Sequence, residues 1–144
     1  MSELLLICRI AGRRAAIPAL RVRSVIELEA ITPVPRAPDH ILGLAALRSQ
    51  ALTVIDTCRA LGFAPMADVT GTRAAVVAHG DHVYALALED TNDVEEALSD
   101  PQPLPGGFGE EWHQVAKGMV ETARGPALVI CVERLIEGHR AEAA

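Results

Sequence analysis

Ile41-Leu42-Gly43-Leu44-Ala45-Ala46-Leu47-Arg48, then Leu52-Thr53-Val54-Ile55-Asp56 and finally Arg59-Ala60-Leu61-Gly62, is the stretch whose reading decides the fold. It recurs. A constant shift of 75 lays Gly43 on Gly118, Val54 on Val129, Ile55 on Ile130, Arg59 on Arg134 and Leu61 on Ile136 without a gap. In each copy a glycine-bearing apolar segment passes through a polar loop into a short apolar run and then an amphipathic turn, the pattern of strand, hairpin, strand and short helix. A chain that uses one such unit twice has two similar lobes, and the space between them is a natural place for a partner.

Working outward, Glu3 to Ile10 and Arg14 to Pro18 read as strands joined by a tight turn at Ala11-Gly12-Arg13. Leu20, Val22, Val25 and Ile26 fit a helical turn and a strand equally well, because so short an apolar run does not settle the period. Ile31 to Asp39 carries three prolines, each lacking a backbone donor, and must be an edge strand or an extended connection. Phe63 to Gly71 reads as the link between lobes. Beyond it, Ala74 to Ala78 and Val83 to Leu88 flank His79-Gly80-Asp81-His82, a two-residue hairpin signal. Asp93 to Leu98 suggests a further strand ahead of the proline- and glycine-rich loop Ser99 to Gly107. The second copy, Val115 to Ala123 and Ala127 to Val132, ends in Glu133 to Gly138, with Gly138 suited to a helix C-cap. Many short strands with little helix predict a mainly β fold of paired small barrels. The expected division is one domain over 1–144, with a first barrel over roughly residues 13–70, a second over 71–138, and the strand at 3–10 assigned to neither.

Of the 144 residues, 50% are hydrophobic, enough for a packed core. Phe63, Tyr84, Phe108 and Trp112 are the only aromatic rings, and the net charge is -6, so neither stacking platforms nor clustered cations favour nucleic acid. Arg9, Arg13, Arg14, Arg21 and Arg23 are a local exception, read as solvated strand faces or as a small basic patch for an acidic partner. No apolar run approaches the ~20 residues of a spanning helix, and the N-terminus lacks the marks of a signal peptide, so a cytoplasmic protein without membrane insertion is expected. Cys8, Cys58 and Cys131 are odd in number and widely spaced, which implies neither a disulfide framework nor a zinc site. Cys8 and Cys131, inside apolar runs, read as buried thiols.

Catalysis needs a nucleophile beside a base, paired carboxylates or a metal cluster, and none is evident. His79 and His82 face each other across a proposed turn, but two imidazoles make a weak metal site. His40, His113 and His139 read as surface residues. The acidic set Glu89, Asp90, Asp93, Glu95, Glu96 and Asp100 lacks the order of a calcium loop and reads as an edge-protecting face. Asp56 reads as a helix N-cap ahead of a catalytic carboxylate. Arg48 is either a strand-end cation or a buried hub between loops. No cofactor or metal is called for.

In their order, these segments resemble the CheW-like chemotaxis coupling proteins from about Leu5 to Ile136. Val22-Arg23-Ser24-Val25 resembles the family's V-x-x-V, and Pro38 to Ser49 its proline entry and I-x-G-x-x-x-L-R-G. Thr53 to Gly62 is similar to P-V-V-D-L-R-x-x-L-G, Ala85 to Val94 to G-L-x-V-D-x-V-x-D-V, and Gly118 to Leu135 to the C-terminal segment. The resemblance implies two five-stranded SH3-like barrels with short helices and a groove between them, and no enzymatic activity. It implies a non-catalytic adaptor at membrane receptor arrays. Its partners would be the regulatory domain of a CheA-type histidine kinase and the cytoplasmic tip of a chemoreceptor. Val22, Val25, Leu47 and Arg48 carry over as partner-binding positions, with Gly43, Asp56 and Gly118 as structural ones; kinase contact lies on the first barrel. Ser24, Ala46, Ser49, Thr53 and Cys58 depart from the family pattern, where glutamate, asparagine, glycine, proline and arginine stand. A diverged interaction module that self-associates or serves another kinase is therefore a second expectation, and a small enzyme around Asp56 or the His79/His82 pair a third.

Overall fold

The computed structural model describes residues 3–138. The first hairpin joins β1 (Leu4–Ile10) to β2 (Arg13–Pro18) through Ala11 and Gly12, both at positive φ (50° and 78°), as the primed two-residue turns require. A 3-10 turn (Ala19–Arg21) then leads into β3 (Val22–Glu27), so the two readings of this run are both used, in succession. β4 (Ile41–Leu47), β5 (Gln50–Asp56) and α1 (Thr57–Ala60) form the first copy of the repeat. β6 (Arg73–His79) and β7 (His82–Ala87) close the Gly80-Asp81 hairpin, and β8 (Asp90–Glu96) follows. The second copy is β9 (Ala116–Thr122), β10 (Gly125–Ile130) and α3 (Val132–Glu137), with Gly138 as its C-cap at φ 83°. A short helix the sequence reading did not anticipate, α2 (Glu110–Val115), precedes it.

The shift of 75 superposes β4 on β9 end to end, and the likeness extends to details. Each pair carries its bulge at the same place, between Ile41 and Gly43 opposite Ile55 and Val54, and between Ala116 and Gly118 opposite Ile130 and Val129. Each glycine lies under a carbonyl of the preceding connection. A Cβ on Gly43 would collide with the Thr32 carbonyl, and one on Gly118 would come within 2.8 Å of the Gln102 oxygen. At the next residue the same connections pair reciprocally, Thr32 with Leu44 and Gln102 with Met119. A second shift, of 69, lays β1 and β2 on β6 and β7. The chain is thus a tandem repeat throughout.

The two halves are interlocked. One sheet runs β8-β1-β2-β10-β9 and the other β3-β6-β7-β5-β4, so β3 and β8 each leave the hairpin before them and join the other sheet. We call these the terminal and central barrels. The expected boundary at 70/71 is corrected: the central barrel spans β3 to β7 (22–87), while the strand at 3–10 and its hairpin partner belong with β8 to β10. Phe63 to Gly71 accordingly connects two elements of the same barrel. Order along the chain does not reveal this, because β3 can pair with either neighbouring hairpin and only tertiary packing decides.

Interlocking explains the apolar runs. On β1, Leu5 and Ile7 point into the terminal barrel, while Leu6, Cys8 and Ile10 point into a core shared between the barrels. On β6, Ala74 and Val76 fill the central barrel and Ala75 and Val77 the shared core. With both faces buried, alternation disappears from the sequence. The shared core also takes Ile55, Leu61, Leu86, Trp112, Ile130 and Leu135. At roughly 1.5–3 kcal/mol for each large side chain buried, it binds the lobes as firmly as either barrel interior. The space between the lobes is therefore occupied by a shared core.

Candidate functional site

Three accessible surfaces bear on the predicted partner positions. The first is β3, an edge of its sheet, with the 3-10 turn before it. Leu20 is 99% exposed and Val25 40%, the former unusual for a leucine with nothing to cover it. Arg21 fixes this ribbon: its guanidinium meets the Glu133 carboxylate on α3 at 2.6 Å and donates to the Ala78 carbonyl. His79 approaches the same carboxylate at 3.6 Å. Hydrogen bonding from Arg21 outweighs partial burial and holds the Glu133 carboxyl down to about 2.

The second surface is the β4–β5 hairpin. Leu47 pairs with Gln50, leaving Arg48 and Ser49 as the turn at φ 53° and 70°. Both are exposed, and Arg48 makes no hydrogen bond or ion pair among the described residues, which removes its reading as a buried hub. Leu47 is half-buried against the central barrel's interior.

The third is a cleft of 540 Å³ at one rim of the shared core, where Arg13, Phe63, Glu89, Phe108 and Trp112 meet. Arg13 lies 4.6 Å from the centre of the Phe108 ring. Cys58 opens onto this cleft with burial pushing its thiol up to about 11, and Cys8, deeper, reaches about 12; neither is a thiolate nucleophile.

The four partner positions lie on two strands. Val22 and Val25 are on β3 against Val77 and Ala75 of β6, whereas Leu47 and Arg48 end β4, the other edge strand of that sheet. Val22 packs on the shared core and Val25 faces out. Asp56 is buried as the N-cap of α1, one oxygen accepting from the Arg59 N–H and the other from that of Met66. Leu20 has no mark in the sequence, since a leucine between Pro18 and a strand offers no signal beyond its apolarity.

His40 corrects the surface reading. It is 6% exposed, and its Nε2 lies 2.8 Å from the Ile136 carbonyl beneath Gly138. Cys131 is half-buried, not buried as expected. His113 is exposed, and His139 lies outside the described residues. His79 and His82 face each other in the ladder, but among the described residues no group of three or more His, Cys, Asp or Glu side chains is placed to hold a metal. No helix among them is long and apolar enough to cross a membrane.

The family model of the CheW-like domain matches residues 4–140. The chain belongs to that family. Among CheW-like relatives it is 27% identical over 138 residues to a probable chemotaxis protein CheW of Rhizobium etli, covering 94% of this chain and 88% of that one. Over 106 residues it is 31% identical to protein FrzA of Myxococcus xanthus, covering 72% and 66%. The scaffolding protein TtCheW of Thermoanaerobacter tengcongensis has the same fold, with a TM-score of 0.83 at 19% identity over 99% and 98% of the two chains. Two five-stranded SH3-like sheets are thus the CheW-like architecture.

Proposed function

We propose that this CheW-like chain is a non-catalytic chemotaxis adaptor that joins the cytoplasmic tip of a helical chemoreceptor to the regulatory domain of a CheA-type histidine kinase. The observation that carries this reading is the clamped ribbon from Leu20 to Val25. It presents exposed apolar side chains on an edge strand that the Arg21–Glu133 pair and the shared core hold in place. A rigid apolar ledge gains affinity by burial without paying ordering entropy, as a scaffold needs. Relatives named for chemotaxis support the pathway.

A receptor-tip pull-down tests it. Val25→Asp should abolish capture and Arg48→Ala weaken it several-fold, and both should melt within about 2 °C of wild type, since exposed residues cost little when replaced. Capture unchanged by Val25→Asp would remove the ribbon from the interface.

One observation favours the second reading, a module with different partners. Of the five departures from the family pattern, Ser24, Ala46 and Ser49 are exposed, while Cys58 is buried and Thr53 half-buried. Changes placed on the surface alter who binds more than they alter the fold. Co-purification with a kinase other than the CheA type would select this reading.

A further inference from the structure

We propose that the seam of the central barrel is a strand-addition site for an extended, basic peptide segment of a partner protein. The proposal goes beyond the adaptor reading and does not rest on it. It comes from comparing the places where the two barrels close. In the terminal barrel the seam between the end of β8 and β9 is bonded at two steps: Gln102 pairs with Met119, and further along the Leu98 N–H donates to the Glu121 carbonyl at 2.7 Å while the Glu121 N–H donates to Ser99 Oγ at 3.0 Å. The shifts of 69 and 75 put Glu29 in the place of Leu98 and Ala46 in the place of Glu121. Thr32 and Leu44 repeat the first step at 2.8 Å, but among the described residues no backbone hydrogen bond joins Glu29 to Ala46.

Backbone direction shows what is left open. Leu44 spends its edge-facing N–H and C=O on Thr32, so Ala46, two residues on, directs its own pair out of the same edge. On the facing wall the Leu28 N–H donates to Thr72 and its carbonyl accepts from Gly71, both toward β6, so Glu27 and Glu29 direct their backbone groups the opposite way, into the seam. Between these walls lies a groove of 660 Å³ that includes Glu27, Glu29, Leu44, Ala46 and Gln50. Two edges with free donors and acceptors are what an added strand uses, with alternate side chains reading the walls.

Charge selects the occupant. Glu27 and Glu29 are exposed and carry no ion pair among the described residues; Arg73, opposite Glu27 in the ladder, does not reach it. A second copy docking edge to edge would bring these carboxylates against their own kind, which disfavours self-pairing. A segment with lysine or arginine at alternate positions meets them with opposite charge, and an apolar residue between can cover Leu44, which is 39% exposed.

The test uses the full chain and a fluorescein-labelled, capped pentapeptide of alternating lysine and valine. Saturable anisotropy binding is expected. N-methylation of the peptide's alternate amides, a glutamate-for-lysine peptide, and the E27K/E29K variant should each weaken it at least about ten-fold. Hydrogen exchange gives a second readout: the Ala46 amide should exchange fast in the free protein and slow on peptide addition, while the Glu121 amide is slow in both. Absence of saturable binding, or equal affinity for the N-methylated peptide, would overturn the proposal. So would wild-type dimerisation in sedimentation that the peptide cannot compete, which would assign the seam to a second copy.

Discussion

The terminal and central barrels share one wiring and differ in how their mouths are filled. In the terminal barrel Arg14 reaches across the opening, its guanidinium meeting Glu95 at 2.9 Å and donating to Thr122 Oγ1 and the Gly125 carbonyl. The same three places in the central barrel, by the shifts of 69 and 75, hold Val83, Ile26 and Leu47, all packed on that barrel's interior. One mouth is sealed by an ion pair and the other by aliphatic side chains. Hairpins, bulges and the two glycines recur while the fill does not, so the backbone devices define the repeat and the side chains are free to diverge around them. Leu47 owes its apolarity to this plug, which weakens its case as a partner contact.

If backbone devices matter most, replacing the glycines should do the greatest damage, and unequally. Gly43 combines φ 149° with direct collision against the Thr32 carbonyl, whereas Gly118 has an ordinary φ and a Cβ contact of 2.8 Å with the Gln102 backbone oxygen, which only movement of that connection relieves. Gly43→Ala should cost about 3 kcal/mol and Gly118→Ala about 1–2 kcal/mol in urea unfolding. Equal losses would mean that the approach of the connection alone, and not the strained φ, distinguishes the sites.

Exchanging one mouth for the other comes next. Arg14→Val alone strands the Glu95 carboxylate, one oxygen of which is already buried without a hydrogen-bond partner, and should lower the melting temperature by about 5 °C. Adding Glu95→Ile and Thr122→Leu copies the central mouth and should restore or exceed wild-type stability, because well-packed apolar groups replace a part-buried pair at little cost. A triple variant less stable than Arg14→Val would show that the two mouths differ in shape as well as in polarity.

This contrast also explains what was legible in the sequence. The shift of 75 is visible because a glycine, a Val-Ile pair at the end of a strand and an arginine repeat with it. The shift of 69 is not, because β1–β2 and β6–β7 have in common only apolarity, which every doubly buried strand shares. For the same reason Val22 and Leu47 are not told from core residues: in interlocked barrels an apolar residue can point inward on either face, and the exposed ones, Leu20, Val25 and Leu44 among them, carry no mark in the sequence. The crossing of β3 and β8 was invisible because pairing partners are chosen by packing and not by chain order. α2 was overlooked as six residues without periodicity after a glycine-rich loop, although Glu110-Glu111 ahead of Trp112 is a helix-start pattern.

A smaller effect tests the hairpins that end these mouths. The central turn places Arg48 and Ser49 at positive φ, whereas in the terminal barrel Ala123 and Arg124 stay negative and Gly125 takes φ 122°. The central barrel therefore carries strain where the family pattern has glycine. Ser49→Gly should stabilise by about 1 kcal/mol, raising the melting temperature by roughly 2–4 °C without altering the fold. No gain would mean that flanking packing, and not the turn, sets the local energy.

The smallest effect distinguishes the rims of the shared core. One rim is clamped by Arg21, His79 and Glu133; the other opens as the cleft, with Cys58 in the place of Glu133 by the shift of 75. The Cys58 thiol, up at about 11, stays neutral through the acid range and contributes no pH dependence there. Glu133 is different: its carboxyl is held at about 2 against an ordinary 4.5, so the clamp is fully stabilising above pH 4.5 and fades as pH falls toward 2. With 36% of this side chain exposed, solvent screening limits the contribution to about 1 kcal/mol or less. The difference in unfolding free energy between wild type and Glu133→Gln should accordingly be present at pH 5 and close as pH falls below 4, while Cys58→Ser shows no such trend. A difference that persists unchanged to pH 2.5 would assign the clamp's value to packing of the Arg21 stem, since loss of charge would then cost nothing.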